Sequence, residues 1–215
     1  KKIKVWLQYP WKFPDSPYYK YLVENPPENI EYLNAEKQKG VIVKKNKFLF
    51  LNKLKKCIWN FFTFMKISVP NVHLTRTNES YDLIHCAHCL IFNKNKPWVA
   101  DFEGVWQMFI GEKTKDRAKR VRKLFLRKNC KKIIAWTEKQ AKTNILGEFP
   151  EVKERMEIVY HAVPLPKIKK KKHNGINLLF VARYFYPKGG LHALEIIDKL
   201  TRKYENVNGI FVSEV

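Results

Sequence analysis

The sequence predicts an α/β protein in which a parallel sheet is flanked by helices, and two observations lead to this class. Short apolar runs that suit strands alternate along the chain with longer segments of helical periodicity. Parallel sheets need this order because each crossover between neighbouring strands carries a helix. Hydrophobic residues also make up 45% of the 215 residues and aromatic residues 14%. This composition supplies a core and argues against a chain that is disordered throughout.

The first half of the chain begins with a predicted buried strand, IKVWLQY. Ser16 and Pro17 provide an N-cap and a first-turn proline for a helix through YYKYLVE. Short strands are expected in IEYLN and GVIVK. The spacing of apolar residues over 47–66 predicts a helix with a broad apolar face. YDLIHCA and KPWVADF follow as the next two predicted strands.

The second half continues the alternation with a basic helix predicted within residues 113–129. Its apolar stripe consists of Ala118, Val121, Leu124 and Phe125. The strand KKIIAWT then leads to Thr137, the expected N-cap of a helix through EKQAKTNIL. MEIVY is the next predicted strand, and INLLFVAR, GLHALEIIDKLTRKY and GIFV form a strand–helix–strand unit.

A change of composition near residue 165 predicts a domain boundary. The segment KIKKKKHNG is a lysine run closed by Asn-Gly, which is typical of a solvated linker or turn. We therefore expect a first domain over residues 1–164, a basic linker over 165–175 and a second domain that starts at residue 176. One strand–helix–strand unit cannot bury both faces of a sheet, so it either docks on the first domain or is incomplete at Val215. We expect the second of these.

The charge of the chain points to anionic partners. Forty-two Lys and Arg stand against twenty Asp and Glu, a formal net charge of +22. Such a surface attracts polyanions, anionic lipid headgroups or phosphorylated small molecules. Nucleic-acid binding is the alternative function from another class. It is disfavoured because the sequence has no helix-turn-helix, zinc-finger or RRM motif and its cations are spread over the whole chain.

Two basic segments raise the question of a membrane surface. Residues 113–132 carry eleven Lys and Arg against one acid, and the helix at 47–66 combines aromatics with lysines. Either segment fits an anionic bilayer surface, whereas a solvated basic face and burial against the sheet explain them equally well. No secretory segment opens the sequence and no apolar run approaches about 20 residues. We predict a cytoplasmic protein, and peripheral association with the cytoplasmic membrane face is one of the two open interpretations of these segments.

The cluster HCAHC at residues 85–89 invites a metal-site interpretation. A structural zinc site needs four convergent ligands, and no second Cys-x-x-Cys exists because Cys57 and Cys130 stand alone. On a strand, His85 and Cys86 also point to opposite faces. We therefore expect no metal, buried thiols, and a histidine that faces a cleft.

The stretch INLLFVARYFYPKGGLHALEII has the pattern of a diphosphate-binding turn. A strand end followed by a helix start is where α/β folds bind ligands, and the first turn of a helix favours an anion. Arg183 offers a bidentate fork and Lys188 a point charge, while Gly189 and Gly190 allow close backbone approach. A tight turn with two solvated cations is the structural alternative.

Several motifs in sequence order resemble the retaining glycosyltransferases of family four, which have the two-domain GT-B fold. These motifs are YDLIHCAH, IAWTEKQAK, EIVYHAVPLP and NLLFVARYFYPKGG. The resemblance implies a Rossmann-like acceptor domain followed by the start of a Rossmann-like donor domain. It also implies transfer of a sugar from a UDP- or GDP-linked donor to a saccharide or lipid-linked acceptor, in the cleft between the domains. The nucleotide sugar is a substrate, and no metal or other cofactor is expected.

The same resemblance assigns roles to individual residues. Arg183 and Lys188 would bind the donor diphosphate, with Gly189 and Gly190, and stabilise the charge of the leaving group. Glu103 stands where the family usually has a histidine, and we expect it to be catalytic or else a structural acid at a strand end. The acceptor side is expected to include Trp11, His85 and Asp101.

Overall fold

The computed structural model describes residues 1–9, 18–34, 45–111, 115–161 and 173–214. Trp11, the cap at Ser16 and Pro17, the GVIVK strand and most of the basic linker lie outside these residues. The chain divides into two compact units, Lys1–Pro164 and Leu165–Val215. None of the described helices is both long and apolar enough to cross a bilayer.

The first unit is built on a six-stranded parallel sheet. Its strands are β1 (Ile3–Gln8), β2 (Ile30–Tyr32), β5 (Leu83–Ala87), β7 (Trp98–Phe102), β9 (Cys130–Ala135) and β10 (Met156–Ile158). Their order across the sheet is β10-β9-β7-β5-β1-β2, and every neighbouring pair is parallel. This confirms the α/β class with a parallel sheet, and the arrangement is compatible with a Rossmann-like fold.

Four short strands form two small ladders beside the main sheet. The antiparallel pair is β3 (Val69–Pro70) with β8 (Phe109–Ile110), and the parallel pair is β4 (Val72–His73) with β6 (Leu90–Ile91). These ladders join the segments before and after β5 and β7. They fix the loops at the carboxyl ends of those strands.

The helices of the first unit follow the predicted periodicity. Among the described residues they are α1 (Tyr18–Glu24), α2 (Lys45–Phe64), α3 (Lys115–Phe125) and the short α4 (Leu146–Glu148), with 3-10 segments at Val105–Met108 and Pro150–Arg155. Ala118, Val121, Leu124 and Phe125 are all buried, as the predicted stripe of α3 requires. Thr137 Oγ1 accepts the backbone N–H of Gln140 at 3.2 Å, so the predicted cap is formed. The helix that follows departs from the prediction because Gln140–Ile145 takes π-helical geometry.

The sheet separates two apolar layers because side chains alternate along each strand. The larger core includes Ile84, Cys86, Trp98 and Ala100, and it is closed by α3 and by the segment that contains Ile145 and Phe149. The smaller core lies on the other face, where α1 contributes Tyr19 and Val23. Strands β5, β7, β9 and β10 follow one another in one direction across the sheet, whereas β2 lies on the other side of β1. Right-handed crossovers in opposite directions place their helices on opposite faces.

The prediction that Cys86 and Cys89 are buried thiols is wrong. Instead of two buried thiols, the structure contains a disulfide between them. The turn after β5 brings the Cα atoms to 5.4 Å, within the range that a disulfide spans. Both residues are fully buried. Of the other two cysteines, Cys57 is exposed and Cys130 is buried, and both are free thiols.

The second unit contains β11 (Ile176–Tyr184), a 3-10 turn (Tyr186–Lys188), α5 (Gly190–Lys203) and β12 (Val207–Glu214). The two strands are parallel, with Leu179 opposite Ile210 and Val181 opposite Val212. Helix α5 lies on one face of this pair. The side chains of Leu179, Val181, Ile210 and Val212 are exposed on the other face. The predicted strand–helix–strand unit is therefore present.

Candidate functional site

A cavity of about 620 Å³ lies on the α1 side of the main sheet. Its floor is made by alternate residues of neighbouring strands, among them Val5, Leu83, Val99 and Ile134. Two groups of side chains complete the lining. Tyrosines and a tryptophan form much of the wall, and polar groups lie toward the carboxyl ends of the strands. The residues of these groups are Tyr19, Tyr21, Tyr32, Trp136, Tyr160, His85, Asp101 and His161.

Asp101 is the centre of the polar end. It lies near the end of β7 and is 4% exposed. Its Oδ2 accepts the Tyr19 hydroxyl at 2.6 Å and the Trp136 indole N–H at 3.2 Å. Its Oδ1 accepts the backbone N–H of His88 at 3.3 Å and lies 3.8 Å from His85 Nε2. Three donors and an imidazole therefore converge on one buried carboxylate.

These contacts decide the charge of Asp101. Burial alone would raise its pKa, because a buried carboxylate loses its hydration. The attraction of His85 and His88 and the hydrogen bond from Tyr19 outweigh this effect. The pKa of Asp101 is held well below its ordinary range, so the carboxylate is ionised at neutral pH.

The two histidines of the HCAHC cluster occupy different positions around this carboxylate. His85 is on β5 and lines the cavity, with Nδ1 3.5 Å from the Tyr32 hydroxyl. His88 follows the strand end and has a positive φ of 56°, inside the loop that the Cys86–Cys89 disulfide closes. Its Nε2 lies 3.3 Å from the Tyr19 hydroxyl, and its ring centroid is 4.9 Å from that of Trp136. The disulfide thus fixes the loop that supplies one donor to Asp101.

Two other groups of the cavity, the Tyr32 phenol and the His161 imidazole, are uncharged near neutral pH. Burial, followed by the negative charge of Asp101, raises the pKa of Tyr32. Its hydroxyl is consequently a proton donor at neutral pH. Burial is also the largest cause that lowers the pKa of His161, whose ring centroid lies 3.5 Å from that of Trp136. The cavity combines an apolar floor with one ionised carboxylate and several neutral donors.

This arrangement suits a ligand with a flat apolar face and a hydroxyl group. The ring of a sugar stacks on aromatic side chains through its C–H face, and its hydroxyls need hydrogen-bonding partners. A carboxylate beside an imidazole also provides a pair that can take up a proton. Among the described residues, no group of three or more His, Cys, Asp and Glu side chains is arranged to hold a metal ion.

Two of the residues predicted for the acceptor side, His85 and Asp101, meet in this cavity. Glu103 lies just beyond β7 with an exposed side chain and is not among the cavity-lining residues. Its backbone N–H donates to Gln107 Oε1 at 2.7 Å. Sequence reasoning missed Tyr19, Tyr32 and Trp136. Two of these had a usable signal, since Tyr32 ends β2 and Trp136 directly follows the carboxyl end of β9.

The predicted phosphate-binding turn belongs to the second unit. The ladder between β11 and β12 shifts register between Ala182 and Tyr184, which makes Arg183 the extra residue of a β-bulge. Lys188 is exposed at the end of the 3-10 turn. Gly189 has φ of 79° and precedes α5, whose N-terminus has no side-chain cap.

Each glycine of this turn has a local structural reason. Gly189 needs its left-handed conformation, which side chains adopt at a cost. A Cβ on Gly190 would lie 2.4 Å from the Phe185 ring. The two glycines therefore allow the backbone to turn and Phe185 to pack at the start of α5.

Scans of this chain against protein-family models, curated proteins and solved structures each find no match.

Proposed function

We propose that this chain is the acceptor-binding domain and the beginning of the donor domain of a GT-B glycosyltransferase. The reaction is transfer of a sugar from a nucleoside-diphosphate donor to an acceptor hydroxyl, with retention and without a metal. The main support is the polar end of the cavity, near the carboxyl ends of the parallel strands, where Asp101 and His85 meet beside an aromatic wall. Ligands of open parallel sheets bind at this edge.

The acceptor hydroxyl binds in this cavity beside Tyr32 and His85. The ionised Asp101 lies nearer to His85 Nε2 and favours the tautomer with the proton on that atom. Nδ1 is then the basic nitrogen, on the side of the Tyr32 hydroxyl. When Nδ1 takes the acceptor proton, the Asp101 carboxylate stabilises the imidazolium that forms. Tyr19 and Trp136 keep the carboxylate oriented through their hydrogen bonds.

The donor diphosphate binds at the start of α5. The backbone N–H groups of an uncapped first turn and the positive end of a 14-residue helix favour an anion. Lys188 and Arg183 add positive charge, which stabilises the diphosphate as the bond to the sugar breaks. This interaction is strongest in the transition state, so its loss lowers turnover more than donor affinity.

The test is release of nucleoside diphosphate from UDP- and GDP-sugars in the presence of a panel of saccharide and lipid-linked acceptors. It is carried out on the full-length protein, with the variants Arg183→Ala, Lys188→Ala, His85→Gln and Asp101→Asn. Each change should lower kcat by about tenfold to a thousandfold. Lys203→Ala, which removes an exposed cation from the far end of α5, should leave kcat unchanged.

The results separate the two parts of the mechanism. Unchanged turnover in both cation variants would remove the α5 turn from the reaction. Glu103→Gln tests the exposed carboxylate for which the sequence left a catalytic role open. A large loss there, with none in Asp101→Asn, would move the proton transfer to Glu103. No release with any donor, together with salt-sensitive oligonucleotide binding, would replace the transferase by a nucleic-acid-binding protein.

A further inference from the structure

Helix α2 carries an exposed row of apolar side chains at three- and four-residue spacings. The row, called here the α2 stripe, consists of Phe50, Leu54, Cys57, Phe61 and Phe64. The exposed fractions of its three phenylalanines are 67%, 57% and 84%. A helix places residues at these spacings on one side, so the stripe is one continuous apolar surface.

Packing against the first unit does not account for this stripe. Among the described side chains of α2, the half-buried ones are Leu51, Lys55, Ile58 and Phe62, which recur on a different side of the helix. Phe62 Cβ reaches the region of Gly111, so this side contacts the rest of the unit. The sequence left two interpretations of this helix open, burial against the sheet and contact with a membrane surface. Burial accounts only for the side that carries Leu51.

The charges around the stripe specify its partner. Helix α2 has five lysines and no acidic residue, and Lys53 and Lys56 border a shallow concavity with Cys57, Phe61 and Phe64. A second copy of the chain docked through the same stripe would bring these lysines against their counterparts, which repel one another. A partner with an anionic surface and an apolar interior would attract the lysines and bury the phenylalanines.

We propose that α2 lies in the plane of an anionic membrane surface, with the α2 stripe inserted among the acyl chains and its lysines against lipid phosphates. Amphipathic helices with aromatic and basic side chains bind bilayers in this orientation. Each lysine near such a surface contributes about 1 kcal/mol, which corresponds to about fivefold in the partition constant. This binding is independent of the proposed transferase activity.

The experiment is co-sedimentation of the 215-residue chain with vesicles of phosphatidylcholine alone or of phosphatidylcholine and phosphatidylglycerol in equal amounts. The chain should bind the mixed vesicles and bind pure phosphatidylcholine much more weakly. The double variant Lys53→Ala with Lys56→Ala should bind about 30-fold more weakly. Added salt should also weaken binding of the wild type, because it screens the lysines from the lipid phosphates. Phe61→Ser with Phe64→Ser should weaken it by at least about tenfold.

The control variants change exposed phenylalanine and lysine residues that lie outside α2. Phe92→Ser removes a half-exposed aromatic side chain, and Lys139→Ala with Lys142→Ala removes two exposed cations. The phenylalanine control should bind as the wild type does. The lysine control should lose less than the Lys53 and Lys56 pair, and circular dichroism should show all variants folded.

Three outcomes would overturn the proposal. Wild-type binding by the Phe61 and Phe64 variant would exclude the stripe from the interface. Equal binding to both vesicle types would exclude recognition of anionic lipid. Absence of vesicle binding, together with a dimer that the Phe61 and Phe64 variant abolishes in size-exclusion light scattering, would make a second copy the partner.

Discussion

Replacement of Asp101 by Asn tests the central electrostatic feature of the cavity. Asn has the same shape but no charge, and it presents an N–H₂ group where one carboxylate oxygen stood. The wild-type Oδ2 accepts two hydrogen bonds, from Tyr19 and Trp136. Hydrogen bonds to a charged group contribute about 1.5–3 kcal/mol each, and neutral ones about 0.5–1.5 kcal/mol.

The expected loss follows from these contacts. Neutralisation of the acceptor weakens both bonds by about 1 kcal/mol each, and the attraction to His85 and His88 is lost as well. The backbone N–H of His88 keeps a second acceptor, the Asp101 carbonyl at 3.1 Å, so it is not left unpaired. We expect the free energy of unfolding of the first unit to fall by about 3 kcal/mol at neutral pH.

The lowered pKa of Asp101 also predicts how the stability difference between wild type and Asp101→Asn changes with pH. The pKa of Asp101 is lowered in the folded state, so its ionisation stabilises the fold above the unfolded value of about 4. This contribution disappears as the pH falls below about 4 toward the folded pKa. The difference between wild type and Asp101→Asn should therefore be constant from neutral to mildly acidic pH and shrink below about pH 4.

The measurement is urea unfolding followed by tryptophan fluorescence, since Trp98 and Trp136 lie on either side of this region. Glu157→Gln, which removes an exposed carboxylate paired with Lys132 in the first unit, should change stability by less than about 0.5 kcal/mol. Equal stability of wild type and Asp101→Asn at neutral pH, or a difference that grows on acidification, would refute the reasoning.

Three further changes test other parts of the fold. Cys86→Ser with Cys89→Ser opens a four-residue disulfide loop, and urea unfolding of the first unit should show a loss of about 2 kcal/mol. Gly190→Ala places a Cβ against the Phe185 ring and should destabilise the second unit by about 1–3 kcal/mol, measured as faster amide exchange in β11. Arg155→Met removes a donor to three backbone carbonyls after α3, and the midpoint of urea unfolding should fall by the equivalent of about 2–3 kcal/mol. If one of these measurements gave the wild-type value, the corresponding contact would not contribute to stability.

Local patterns predicted the elements and the direction of several side chains. Alternation along β5 placed His85 and Cys86 on opposite faces, and the structure has His85 on the cavity and Cys86 in the core. The cap at Thr137 and the buried side of α3 were also predicted, since each depends on residues within a few positions of one another. Such features are set by local geometry.

Long-range contacts could not be predicted in the same way. Tyr19 reaches Asp101 across 82 positions because α1 packs on the face of the sheet toward which the Asp101 side chain projects. The disulfide depends on how the chain turns after β5, which Cys-x-x-Cys spacing alone does not determine. The exposure of the α2 stripe was equally invisible, because an apolar helical face has the same pattern whether it meets a sheet or a membrane.

The floor of the cavity has a consequence for selectivity. Leu83, Val99 and Ile134 project from adjacent strands whose spacing is fixed by hydrogen bonds along the whole ladder. Such a surface is stiff and cannot reshape itself around different ligands. For a ligand bound here, discrimination between related ligands would depend on the rim, where Tyr21 belongs to α1 and Tyr160 and His161 follow β10 rather than belong to the sheet. Substitutions at the rim should alter which ligand is preferred, whereas substitutions in the floor should decide whether any ligand fits at all.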